Sequence, residues 1–172
     1  MSINFKDIEN AHKIIRDSII KTPLVSNDYI NDLLDAEVYF KLENLQITGS
    51  FKLRGATHKI SKISSDKINN GVVAYSSGNH AQAVAYAALQ NKISAKIIMP
   101  KNAPKIKINN TKEYGADVIL YDTFFESREK IGNDIKEKEN RSLVKPYDDI
   151  DVIAGQGTAG IEIAEDLKKL SI

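Results

Sequence analysis

A chain of 172 residues with 24 lysines and arginines against 23 aspartates and glutamates carries a formal charge of +1 and no cysteine. The length suffices to bury the core of one ordinary domain. The near-neutral balance gives no electrostatic case for nucleic acid or an anionic membrane as partner, and the lack of cysteine excludes disulfides, thiolate metal sites and cysteine nucleophiles. With no run of about 18 apolar residues and no basic-then-apolar start, the chain reads as cytoplasmic with a small-molecule partner.

In chain order, Phe5, Ile8, Ala11, Ile15 and Ile19 recur at helical spacing until Lys21, Thr22 and Pro23 stop the pattern. Val38, Phe40 and Leu42 alternate with Tyr39 and Lys41, which predicts a short strand. Thr48, Gly49 and Ser50 are turn and cap types, and Phe51, Ala56, Ile60 and Ile63 follow at the spacing of one helical face. Val72 to Tyr75 reads as a buried strand, and the polar loop Ser76 to His80 leads into an alanine-rich helix from about Ala81 to Gln90. Ala95 to Met99 is a strand stopped by Pro100. Pro104 stands near the start of a helix running to Tyr114, with Gly115 as its cap. Asp117 to Tyr121 is the next strand, a charged helix runs from about Phe124 to Glu139, and Ser142 to Val144 makes a last short strand. Asp149 to Leu170 is helical with an expected interruption at its glycines. Strands alternating with helices imply parallel βαβ crossovers and an α/β sheet covered on both faces.

Several residues carry chemistry. Lys52 falls in the first turn of a helix, where the positive end of the helix dipole and burial both favour the neutral amine, the nucleophile that Schiff-base formation with a carbonyl requires. A solvated lysine on an amphipathic helix is the alternative. Backbone amides around Ser76 to His80, at a strand-to-helix handover, suit a carboxylate; a tight turn capped by Asn79 fits the same residues. Ser77 offers a hydroxyl for proton transfer, or a turn hydrogen bond to its own backbone. Arg128 either serves a site or pairs on the surface with Glu129 or Asp134. Gly155 to Gly160 spells GxGxxG, but DDIDVIA is a weak strand before it and no acidic residue stands about 20 positions beyond, so a nicotinamide site is not expected. His12, His58 and His80 are too dispersed in sequence to suggest a metal site.

The stretch ENLQITGSFKLRGA, from Glu43 to Ala56, together with SSGNHAQA, PYDD and GQGTAGIEIAEDL, closely resembles the serine/threonine dehydratase and serine racemase family. These are pyridoxal-phosphate (PLP) enzymes of fold type II, the tryptophan-synthase-β-like architecture. The resemblance implies that Lys52 binds PLP covalently and acts as acid and base on one face of the substrate, that Phe51 packs near the cofactor ring, and that Asn79 contacts the ring oxygen. It implies a carboxylate cradle of Ser76, Ser77, Gly78, Asn79 and His80. Ser77, in the position where racemases carry the opposite-face proton, and Arg128, in the region of a carboxylate-binding arginine, lean toward the serine racemase and threo-3-hydroxyaspartate ammonia-lyase branch. GQGT resembles a structural turn into a helix.

The resemblance covers the N-terminal portion of a family enzyme. It implies residues 1–68 as the first part of the large cofactor domain, 69–148 as a small open α/β domain, and 149–172 as the start of the return. It further implies a truncated architecture, with the phosphate-gripping glycine-rich loop beyond Ile172. The expected function is the front part of an ammonia-lyase for a β-hydroxy amino acid, with serine racemisation as a second activity, inactive alone, and with a homo-oligomer or a complementing chain as the candidate partner. A non-catalytic remnant or an interaction partner of a full-length relative is the alternative.

Overall fold

The computed structural model describes residues 2–170. Its elements are α1 (Phe5–Ile15), β1 (Leu24–Ser26), α2 (Asp28–Leu34), β2 (Tyr39–Lys41), α3 (Lys52–Ser61), α4 (Ser65–Ile68), β3 (Val72–Tyr75), α5 (Asn79–Gln90), β4 (Ala95–Pro100), α6 (Lys105–Glu113), β5 (Asp117–Tyr121), α7 (Arg128–Glu139), β6 (Ser142–Leu143) and α8 (Ile150–Lys169). Short 3-10 turns occupy Arg16–Ser18 and Glu43–Leu45.

Strands β3 to β6 form one parallel sheet in the order β5-β4-β3-β6. Alternation along the strands sends neighbouring side chains to opposite faces. Val72, Ala74, Ile97 and Met99 join the main core with Leu53 and Ile60 of α3 and the alanines of α5. Val73, Ile98 and Tyr121 face the other way and are covered by Ile131 and Ile135 of α7. The sheet is therefore buried on both faces, which explains why its strands read as near-continuous apolar runs.

Four details differ from the sequence expectation. β1 and β2 form an antiparallel pair, Leu24 opposite Lys41, and α2 follows with Asn27 accepting from the Ile30 N–H at 3.1 Å. β1 and α2 are unannounced in the sequence: Leu24–Ser26 offers only two apolar residues, side by side, and the seven residues of α2 bury no side chain, so neither carries a periodic apolar face. α5 begins at Asn79 rather than Ala81, so the polar loop supplies the helix's own first turn. α7 begins at Arg128, capped by Ser127, because Asp122 to Glu126 closes a separate turn in which the Glu126 N–H reaches the Asp122 carbonyl; Phe124 and Phe125 project from it into solvent.

The fourth difference concerns the glycines. α8 runs unbroken from Ile150 to Lys169, so Gly155 to Gly160 is helix interior, neither an interruption nor a turn. Tertiary packing overrides the intrinsic cost of glycine there. A Cβ on Gly155 would lie 2.6 Å from the Arg54 carbonyl oxygen and 2.7 Å from Gly55 Cα, and one on Gly55 would strike the Gln156 side chain. Backbone-to-backbone contact of α3 with α8 is what these two glycines permit.

Two neighbouring substitutions should therefore act in opposite directions. Gly155→Ala is expected to destabilise the chain by about 1 to 3 kcal/mol through overpacking. Gly160→Ala, whose Cβ meets nothing within 4 Å, should stabilise it by roughly 0.5 to 1 kcal/mol. Urea unfolding of the two variants is the measurement.

Candidate active site

Lys52 is the first residue of α3, and its Nζ donates to the Pro146 carbonyl oxygen at 2.7 Å. Burial pulls its pKa below the ordinary lysine value, because the charged form loses solvation. Among the described residues it makes no ion pair. Phe51 precedes it as a helix cap with no side-chain hydrogen bond, its ring centroid 5.2 Å from Nζ. Phe51 is 42% exposed, so it lies off the buried face formed by Leu53, Ala56 and Ile60.

What holds Lys52 in place begins two residues later, at a side chain that its residue type alone does not single out. Arg54 is fully buried, and all of its N–H groups find acceptors. Nε and Nη2 donate to the Glu43 carboxylate at 2.9 and 2.7 Å, and Nη1 and Nη2 to the Glu162 carboxylate at 2.7 and 2.8 Å. Nη1 also reaches Thr158 Oγ1 at 3.2 Å. Lys41 Nζ lies 2.8 Å from Glu162, and Thr22 Oγ1 donates to Glu43 at 2.6 Å. Burial acts to raise the Glu162 pKa, but hydrogen bonds from Arg54 and Lys41 outweigh it and hold the carboxylate below the usual glutamate value. One signal was available: Glu162 continues the stripe Val152, Gly155, Thr158 on α8, a charge on a face otherwise fit for burial.

The second wall is the start of α5. Ser76 Oγ accepts from the Gly78 N–H at 3.2 Å, so the turn hydrogen bond belongs to Ser76. Ser77 is exposed and its hydroxyl makes no hydrogen bond among the described residues. Asn79 Oδ1 accepts from Lys107 Nζ at 2.9 Å. His80 is buried, with Nε2 3.0 Å from the Val144 carbonyl oxygen. Burial drives its pKa down to about 4, the Val144 bond opposes this, and the Lys52 charge lowers it further. The imidazole is thus neutral at pH 7.

Lys52 and His80 consequently meet on one short segment, Val144 to Pro146, just past β6. Arg128 stands at the same end of the sheet. Its guanidinium lies 5.4 Å from the ring centroid of Tyr75, the residue before Ser76, while its Nε donates to Glu129 at 2.7 Å. The Glu129 pairing foreseen in the sequence and proximity to the Ser76 loop hold together. A cavity of about 570 Å³ is lined by other residues, including Lys62, Lys67, Lys136 and Arg141, and contains none of the candidate site residues.

A half-buried lysine at the start of α3 and the start of α5, after strand β3 of the parallel sheet, thus lie on either side of the segment that leaves β6. Residues 15–171 match the family model described as pyridoxal-phosphate dependent enzyme, and the chain belongs to that family, whose cofactor is PLP and whose architecture is fold type II. It is 43% identical to the L-threo-3-hydroxyaspartate ammonia-lyase of Saccharomyces cerevisiae over 96% of this chain and 51% of that protein. It is 42% identical to the serine racemase of Dictyostelium discoideum over 98% of this chain and 52% of that protein. Maize serine racemase superposes with a TM-score of 0.94 at 36% identity, covering 98% of this chain and 51% of that structure. The chain thus spans about half the length of these relatives.

The residues present would fit the aldehyde end of PLP. Lys52 is an amine of lowered pKa held by a neutral carbonyl, and Thr48 Oγ1, Ser50 Oγ and His80 Nδ1 are buried without hydrogen-bond partners among the described residues.

Arg54→Met should cost about 3 to 5 kcal/mol, since it leaves the buried Glu162 carboxylate facing the partly buried one of Glu43. The depressed pKa of Glu162 adds a pH signature. Its stabilising contribution is complete above the unfolded glutamate value of 4.5 and fades as pH falls through the lower folded value. Urea unfolding of wild type and variant should therefore converge in acid.

Proposed function

We propose that this chain carries the lysine, the carboxylate loop and the arginine of a PLP-dependent ammonia-lyase acting on a β-hydroxy amino acid, with racemisation of serine as a second outcome. The observation that carries this reading is the Lys52 amine: half-buried, at a helix start, free of carboxylate partners among the described residues and aimed at a neutral carbonyl. The activities named for the yeast and Dictyostelium relatives support it.

When bound, PLP supplies a carbonyl carbon for an amine to attack and a ring that draws electrons from the substrate α-carbon. Lys52 would hold it, with Asn79 at the ring oxygen and Phe51 beside the ring. Lys52 Nζ takes the α-proton on its own face. The amides of Ser76, Gly78 and His80, with the Ser77 and Asn79 positions, hold the substrate carboxylate at the start of α5. The proton that Lys52 removed leaves with the β-hydroxyl as water, and hydrolysis of the enamine so released gives the 2-oxo acid and ammonia; Ser77 Oγ delivering a proton to the opposite face instead completes racemisation. Arg128 draws a substrate carboxylate toward Tyr75 in exchange for Glu129. Residues 1–68 and 149–172 form the cofactor side of this site and 69–148 the smaller lobe.

A second reading, an interaction partner without catalysis of its own, is favoured by the exposed Val25, Phe40, Leu45 and Ile47 in the segments leading to Lys52. A complementing polypeptide or a second copy would cover them. The family resemblance implies phosphate donors in the part of the relatives that this chain does not span, each contributing roughly 1.5 to 3 kcal/mol, and on the first reading the 172 residues alone should bind PLP weakly.

Borohydride reduction in the presence of PLP, followed by peptide mass mapping, should place the pyridoxyl group on Lys52, faintly for the chain alone and strongly once a relative's second half is added. Label on another lysine with none on Lys52 would refute the assignment. In such a reconstituted enzyme, Ser77→Ala should reduce racemisation by about a hundredfold or more, the scale of a lost acid-base group, while elimination changes little. Equal loss of both would make Ser77 a loop-shaping residue only.

A further inference from the structure

The His80 ring has more to do than close a turn. A carbonyl oxygen only accepts, so the contact of Nε2 with the Val144 oxygen at 3.0 Å fixes the proton on Nε2. With the ring neutral, Nδ1 is a bare acceptor, and it is buried with no partner among the described residues. The Nε2–H bond ties the first turn of α5 to Val144, which is itself buried and held by its N–H to the Val73 carbonyl at 2.9 Å. Two residues on, the Pro146 carbonyl takes the Lys52 amine at 2.7 Å. The connection between them is stiff. Pro146 has a ring-locked φ, and Lys145, as the residue before proline, is confined to extended conformations. Movement at Val144 is therefore passed on to the oxygen that aims Lys52.

We propose that His80 is a positioning residue that sets the environment of the Lys52 amine by gripping the Val144–Pro146 strap through Nε2–H. This rests on the reading of Lys52 as the reactive amine, and assigns to the His80 side chain a role separate from that of its backbone amide in the carboxylate cradle. A neutral ring suits this role, because an imidazolium so near Lys52 would repel the ammonium, and Lys52 is the charged group whose influence reaches His80. A ring that serves only as filler would leave the titration of Lys52 unmoved when replaced by one of similar shape.

The test uses the 172-residue chain and a probe that needs no phosphate site, 4-pyridinecarboxaldehyde with cyanoborohydride, with the rate of Lys52 labelling mapped against pH. His80→Gln retains an amide N–H at about the reach of Nε2 and should label within about twofold of wild type. His80→Phe removes the donor. The loosened strap should let Lys52 into solvent, move its titration toward the ordinary lysine range and slow labelling at pH 8 at least about threefold. Long-range proton–nitrogen spectra of the wild-type ring should show a neutral Nε2–H tautomer at pH 7. In Lys52→Met, loss of the neighbouring charge should raise the His80 pKa.

A folded His80→Phe chain with the wild-type Lys52 profile, an Nδ1–H or charged ring at pH 7, or a His80 pKa indifferent to Lys52→Met would each overturn the proposal. Should His80→Phe fail to fold, His80→Leu, smaller and equally without a donor, is read in the same way. Failure of PLP to attach at Lys52 is a different result. It would refute the functional reading and leave the coupling of His80 to Lys52 measurable with the small aldehyde.

Discussion

Arg54 dictates the geometry on which the candidate site depends. A guanidinium removed from water is tolerable only where its donors are matched, and here the matching groups come from places far apart in sequence: Glu43 before the lysine segment, and Thr158 and Glu162 on α8. Two carboxylates and two cations, Lys41 and Arg54, balance one another inside the fold. Because the arrangement is unforgiving of displacement, α3 is pinned against α8 at one depth and one rotation. The paired glycines make the close approach possible; the ions choose its register. Lys52, two residues before Arg54, inherits that choice.

The other wall of the site follows a different logic. β3 ends at Tyr75 and α5 begins at Asn79, so a handful of small polar residues must turn the chain while leaving helix N–H groups unpaired. β6 lies beside β3 in parallel, and the segment leaving β6 therefore emerges next to that turn. This adjacency lets Val144 meet His80 and Pro146 meet Lys52. The site joins a helix start anchored by buried ions to a helix start anchored by the sheet, with a proline-stiffened segment between them.

Much of this frame was legible in the sequence, and the illegible remainder has common causes. Val72 to Tyr75 and Asp117 to Tyr121 announce themselves as apolar runs between polar turns, and the place of Lys52 at a helix start followed from its turn residues. The glycines of α8 misled because glycine signals a break locally, and only contact with α3 gives it another use. Arg54 and Glu162 escape a reading by residue type because a charge is solvated by default, and the burial of this pair depends on partners 108 positions apart. The Pro146 and Val144 carbonyls could not be read at all, since every residue has one and no side chain marks those two.

The partner of Lys52 has a consequence for how the amine changes hands. A lysine engaged by a carboxylate must separate opposite charges in a medium of low polarizability before it can react, and salt in the buffer would compete for both members. A lysine engaged by a peptide oxygen leaves behind a dipole that water or a neighbouring N–H can satisfy. If Lys52 reacts as proposed, it must still give up its proton, but its departure from Pro146 leaves no carboxylate stranded.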